Sequence, residues 1–175
     1  MTTVFLLTRG ALYRGEISLH SPTGHPVRLL DALRSPQRIQ EPGRATPSLS
    51  VEGAIRKPLG AGQPRQLSRL LTVSPWAVAA AWEADAEAHR GGEAVYERRR
   101  REAGPELRAL LFLADGVEVE GTVPGGRRAL EGARGEASFI ATTELRLAGP
   151  FTGGQDRYLT FLAVNTAYVE SYSVL

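Results

Sequence analysis

The sequence predicts a mainly β protein: two tandem small domains, each a β-barrel or rolled sheet of five to six short strands, joined by a charged helical connector. Three observations predict it. The chain matches itself in four blocks that keep the same order, which marks a duplicated unit. The matched segments alternate apolar and polar residues with a period of two, as half-buried strands do. The segments between them are rich in Gly and Pro, the residues that turns require.

The first block is VFLLTRGALYRGEI, Val4–Ile17, over LLFLADGVEVEGTV, Leu110–Val123, with Gly10 on Gly116 and Gly15 on Gly121. Phe5–Thr8 and Ala11–Leu19 read as a hairpin broken at Arg9–Gly10. In the second copy Val117, Val119 and Val123 take one side and Glu118, Glu120 and Thr122 the other. The second block sets Arg28, Leu30, Asp31 and Arg34 over Arg128, Leu130, Glu131 and Arg134, each segment reading as one helical turn. The third sets SLSVEG, Ser48–Gly53, over ELRLAG, Glu144–Gly149, and the fourth LLTVSPWAV, Leu70–Val78, over FLAVNTAYV, Phe161–Val169. Strands at Arg38–Gln40, Leu49–Val51, Leu67–Val73 and Val78–Trp82 complete one copy. Phe139–Ala141, Glu144–Leu147, Tyr158–Val164 and Tyr168–Ser173 complete the other. SPTGHP, PGGRR, GAGQPR and TGGQDR are loops.

One segment carries conflicting signals. Ser74 as N-cap, Pro75 at the first helical position, an alanine-rich body and a stop at Gly91–Gly92 suggest a helix over Pro75–His89. Register with FLAVNTAYV instead makes Val78–Trp82 a closing strand, with helix starting near Glu83, and the repeat favours this reading. The domains are then residues 1–82, a connector over 83–106, and residues 107–175.

The glycine-bearing first hairpin, the Arg127–Arg134 segment followed by Phe139, and the terminal FLAVN with Val169 resemble a bacterial family of domains of unknown function that ends in F-[IL]-A-[IV]-N. The second copy, Leu107–Leu175, carries the likeness well; in the first, Ser74–Pro75 replaces the Asn-Thr pair. The resemblance implies tandem small β domains and no particular activity. Sm-like and SH3-like barrels are similar at the level of fold, which does not fix function.

No apolar run approaches the roughly 18 residues that span a bilayer, and the N-terminus lacks a signal peptide's basic region, so a cytoplasmic protein with no membrane partner is expected. The absence of cysteine excludes disulfides, a thiolate nucleophile and Cys-ligated zinc. His20 and His25 bracket one turn without further metal ligands nearby in sequence. Asp31 and Glu131 read as members of local ion pairs rather than an acid–base couple. The Gly-rich loops lack the Lys-Ser/Thr of a phosphate loop and the three spaced glycines of a dinucleotide loop. No catalytic, metal or cofactor site is expected.

Charge divides by copy. Residues 1–82 hold ten Lys/Arg against four Asp/Glu, net +6; residues 83–106 hold five against seven and residues 107–175 six against eight, each net −2. The asymmetry points to an anionic partner for the first copy. Its contacts would come from Arg9, Arg14, Arg28, Arg34, Arg38, Arg44, Arg56, Lys57, Arg65 and Arg69, and from the linker run Arg98, Arg99, Arg100 and Arg101. Four consecutive residues fan around most of a helical turn, so that run makes no single focused stripe. Strand aromatics, Trp76, Trp82, Tyr158, Tyr168 and Tyr172, read as core or interface residues. The expectation is a non-enzymatic binding or scaffolding protein that meets a protein partner or assembles head to tail. The alternative is a nucleic-acid-binding protein using the basic first copy and linker arginines. An enzyme ranks last, since no nucleophile–base or metal constellation can be assembled.

Overall fold

The computed structural model describes residues 1–40, 47–67, 70–84, 105–131 and 139–175. The protein is mainly β and divides into two compact units, Met1–Ala84 and Asp85–Leu175. In the first, β1 (Thr2–Thr8), β2 (Ala11–Ile17) and β3 (Leu49–Pro58) form a meander. The far side of β3 carries the short β4 (Arg65–Gln66) and β5 (Leu70–Val73), and β6 (Val78–Glu83) returns to β1. In the second, β7 (Leu107–Leu113), β8 (Val117–Val123), β9 (Phe139–Ala148) and β10 (Arg157–Asn165) form the meander, and β11 (Val169–Val174) returns to β7. Every one of these pairs is antiparallel.

The segments LLTVSPWAV and FLAVNTAYV take the same succession of elements. Leu70–Val73 and Phe161–Val164 are strand, Pro75–Ala77 and Thr166–Tyr168 each make one 3-10 turn, and the chain resumes as strand at Val78 and Val169. The conflict at Pro75 is settled for strand: proline helps initiate only a three-residue turn, closed by the Val78 amide on the Pro75 carbonyl. Val78, Ala80 and Trp82 alternate with Ala79 and Ala81, and all are buried, so tertiary burial overrides the helix propensity of alanine. Of the expected connector only Glu83, which ends β6, Ala84, Pro105 and Glu106 are described, and none of them is helical; the rest falls outside the described residues.

Closure into barrels is not observed. Among the described residues no ladder joins β5 to β6 or β10 to β11, so each sheet stays open. In each unit the 3-10 turn carries the chain from the far side of the meander back to the first strand. The expected strand at Arg38–Gln40 is also corrected. Pro36 starts a 3-10 turn, Pro36–Arg38, in which the Arg38 and Ile39 amides donate to Ser35 and Pro36 carbonyls at 3.0 and 3.1 Å. Phe139–Ala141 and Glu144–Leu147 are parts of the single strand β9, and the PGGRR loop yields at Gly126 to helix α2 (Gly126–Glu131).

A close approach of two strands organises each meander. A Cβ on Gly15 would lie 2.5 Å from Val51 Cγ1 and 2.8 Å from the Glu52 carbonyl oxygen. One on Gly121 would lie 2.7 Å from Leu145 Cβ and 2.9 Å from Thr142 Cγ2. Opposite each glycine the ladder slips by a bulge, between Arg14 and Glu16 and between Glu120 and Thr122. The bulged strand turns left-handed at Gly53, φ +57°, and at Glu144, φ +48°. Ser48–Gly53 thus corresponds to Phe139–Glu144, five residues earlier than the glycine-to-glycine match in the sequence.

The core of the first unit gathers Val4, Leu6, Ile17, Leu49, Val51, Ala54 and Val78, all at or near zero exposure. Helix α1 (Leu29–Arg34) closes over it, burying Leu29, Ala32 and Leu33 on one stripe and packing against β6. The second core gathers Leu111, Leu113, Val119, Val123, Phe139, Leu147, Phe151 and Leu162, with α2 against β7 through Leu130. Each buried Leu, Val or Phe contributes about 1.5–3 kcal/mol of transfer free energy.

Candidate binding surfaces

Two strands stand out by exposure. β5 reads exposed, half-buried, exposed, buried along Leu70–Val73, and among the described residues it pairs with β3 alone. β11 is exposed or half-buried at every residue and, among the described residues, pairs with β7 alone. Leu70 is 49% exposed and Val174 41%, which puts apolar side chains on both edges. Native edges are commonly blunted by lysine or proline. Neither residue occurs in Leu70–Val73 or Val169–Val174. The Leu175 amide donates to the Arg108 carbonyl at 3.0 Å, so alternation directs the Val174 amide away from β7.

The basic residues of the first unit do not share a face. Arg14 lies on β2 between Phe5 and Ile55, and Lys57 follows Ile55 on that side of β3. Arg56 lies on the opposite side, across from Tyr13 on β2 and Arg65 on β4. Arg9 is in the first hairpin turn, Arg28 precedes α1, Arg34 ends it and Arg38 ends the following turn, all exposed. Arg56 and Arg65 face each other directly with no carboxylate partner among the described residues, a like-charge pair that an acidic neighbour would relieve. Arg44, Arg69, Arg98, Arg99, Arg100 and Arg101 lie outside the described residues.

The second unit holds a polar groove of about 500 Å³ on one sheet face, lined by Arg108, Glu120, Glu144, Arg146, Tyr158 and Thr160, with Leu145 and Leu159. Register places Glu120, Arg146 and Tyr158 in one row across β8, β9 and β10. Arg108 Nη2 donates to Glu120 Oε1 at 3.2 Å, Arg146 Nε to Glu120 Oε2 at 3.2 Å and Arg146 Nη1 to Asp156 Oδ2 at 2.9 Å. The hydrogen bond from Arg108, reinforced by Arg146, holds the Glu120 carboxyl below its ordinary range, and Asp156 raises the Arg146 guanidinium. Tyr158 is 71% exposed. Sequence reading missed this groove, although the alternation of Glu118 and Glu120 on β8 marked its polar side.

The residues weighed for chemistry do not gather into one site. Asp31 lies in the first turn of α1, and Glu131 accepts a hydrogen bond from the Tyr172 hydroxyl at 2.7 Å. His20 and Pro26 form an isolated bridge that closes the HSPTGH turn, and the His25 amide donates to Ser21 Oγ at 3.1 Å. Among the described residues no three His, Asp or Glu side chains gather as a metal site would require, and no helix is long and apolar enough to cross a membrane. Phe5 and Trp82 stack within the first unit, ring centroids 5.0 Å apart, while Trp76 is exposed. Neither the family models searched nor the curated proteins compared match the chain.

Proposed function

We propose that the protein is a non-enzymatic binding and scaffolding module, built by duplication of a small β unit, whose copies join head to tail through the edges β5 and β11. The observation that carries this reading is the exposure of both edges with apolar residues and no lysine or proline. Pairing two such edges supplies partners for outward backbone groups and covers Leu70 and Val174. Charge supports the same direction. The first unit presents Arg56 and Arg65 at β4, which lines the same side of β3 as β5, and β11 presents Glu170. A contact between two different surfaces on each copy is heterologous and so extends into rings or filaments.

Sedimentation velocity of the full chain, from about 1 to about 500 µM, should show mass growing with concentration by mass action. Val174→Pro removes one outward amide and Leu70→Lys sets a charge on an exposed edge position; each should leave the circular dichroism spectrum unchanged and hold the chain monomeric. A wild-type chain that stays monomeric throughout would sink self-assembly. Labelled RNA and duplex DNA provide the competing outcome: saturable binding at near-physiological salt, weakened by Arg28→Ala and Arg34→Ala, would favour the nucleic-acid reading. The division of Arg14 and Lys57 from Arg56 and Arg65 between two faces argues against it.

A further inference from the structure

Charge in the groove of the second unit is nearly all spoken for. Arg108 and Arg146 are both engaged by Glu120, and Arg146 also by Asp156, so two cations meet two carboxylates. An anionic ligand would have to displace one of those carboxylates. Glu144 is different: it is exposed, lines the same groove and has no hydrogen-bond or ion-pair partner among the described residues. It also occupies a left-handed backbone position, φ +48°, which disfavours every residue except glycine and, less strongly, Asn and Asp. The same bulge in the first unit holds Gly53, which adopts this conformation without a Cβ penalty. A charged side chain kept at a strained position, with its carboxylate unengaged beside a largely exposed aromatic ring, is a feature associated with ligand sites.

We propose that this groove binds the guanidinium of an arginine carried on an extended segment of a partner protein, with Glu144 as its ion-pair partner and the Tyr158 ring as its stacking platform. A flat guanidinium forks onto a carboxylate while lying on an aromatic face, which an ammonium does less well. The groove suits a side chain brought by a passing segment rather than an enclosed small molecule, because Glu144, Tyr158 and Thr160 are all exposed. Arg146, fixed from two sides, keeps the row between Glu120 and Tyr158 in place. The site lies on a sheet face and uses neither edge residues nor self-assembly, so it stands apart from the head-to-tail reading.

The test is an amide-shift titration of the full chain, as the monomeric Val174→Pro variant where assembly broadens the spectra, with a capped Gly-Arg-Gly tripeptide and its neutral citrulline counterpart. Saturable shifts are expected at Glu144, Tyr158 and Thr160, with the citrulline peptide about tenfold weaker or worse. Glu144→Gln and Glu144→Gly should each weaken arginine binding about tenfold, and Tyr158→Leu several-fold. Glu144→Gly relieves the strained position, so its loss of binding cannot be a loss of folding. Equal binding of the citrulline peptide, unchanged binding by Glu144→Gln, or no saturable shift up to about 10 mM peptide would each overturn the site. Agmatine binding tighter than the tripeptide would overturn the assignment to a partner protein.

Discussion

β6 and β11 hold the same place in the strand order of their units, yet they differ in burial. Each follows one 3-10 turn and returns antiparallel to the first strand of its unit. VAAAWE is buried from Val78 to Trp82, whereas VESYSV is exposed or half-buried throughout. The side chains of the two strands differ in the same sense. Small apolar residues on both sides suit β6 to burial on both faces, while Glu170, Ser171 and Ser173 keep β11 wet and leave it available as an edge. The same contrast holds at the bulge, where Gly53 is relaxed and Glu144 is not.

The largest effect should come from the two glycines that make the meanders close. Gly15→Ala would push a methyl into the Glu52 carbonyl oxygen and within 3.2 Å of Ala54 Cα, backbone atoms with little freedom to yield. Gly121→Ala would meet Leu145 Cβ, Thr142 Cγ2 and the Thr143 carbonyl oxygen at 3.0 Å. Both should cost toward the upper end of roughly 1–3 kcal/mol. The two tryptophans, Trp76 and Trp82, both lie in the first unit. Urea unfolding followed by tryptophan fluorescence then reports that unit, and circular dichroism reports both. A shift of the fluorescence midpoint equal in the two variants would show that the units unfold together; a shift confined to Gly15→Ala would separate them.

A smaller, one-sided effect is expected before the 3-10 turns. Asn165 is fully buried and its Oδ1 accepts from the Ala167 amide at 3.1 Å, whereas Ser74 makes no such side-chain cap. Asn165→Ala should destabilise by about 1–2 kcal/mol, and Ser74→Ala by less than about 0.5 kcal/mol. Equal costs in thermal melts would mean that the turn, and not its cap, holds the closing strand.

How much of this was legible follows from the same positions. LLTVSPWAV and FLAVNTAYV announced their strand, turn and strand because apolar spacing survives the change from Asn-Thr to Ser-Pro. The third block matches glycine to glycine, Gly53 with Gly149, whereas the ladder bulges place Gly53 and Glu144 alike. Nothing in a glutamate advertises left-handed backbone. The faces that the basic residues take depend on register as well. Arg56 and Lys57 are neighbours in sequence and fall on opposite faces of β3, and only the ladder register says which face meets Arg14. The groove was invisible because Arg108, Glu120, Arg146 and Asp156 come together from β7, β8, β9 and the approach to β10.

Thr142 and Val51 give a third contrast, with opposite sign. Each sits two residues before the left-handed bulge residue and presses a methyl toward the glycine across the ladder. Thr142 is fully buried, and its Oγ1 has no hydrogen-bond partner among the described residues. Thr142→Val, which installs the side chain found in the first unit, should stabilise by about 1 kcal/mol by removing an unsatisfied hydroxyl. A destabilised variant would mean that the hydroxyl is satisfied in solution and that the two bulges differ in hydration.

The smallest effect separates the two units by pH. Glu120 on β8 is held by Arg108 and Arg146, while the matching strand of the first unit has Arg14 opposite Ile55. Because the hydrogen bonds from the two arginines lower the folded Glu120 pKa beneath its ordinary 4.5, the folded state favours the ionised form more than the unfolded chain does. The stabilisation is therefore complete above that ordinary value and disappears as pH falls through the lowered one. The wild-type melting temperature should exceed that of Glu120→Gln slightly at about pH 6, converge with it by about pH 2, and converge also in about 1 M salt, because the pairs are solvent-facing and screened. A gap that widened toward low pH would reverse the sign and place Glu120 among groups that bind their proton more tightly in the folded state. The row of side chains beneath Tyr158 would then have to be held by packing rather than by charge.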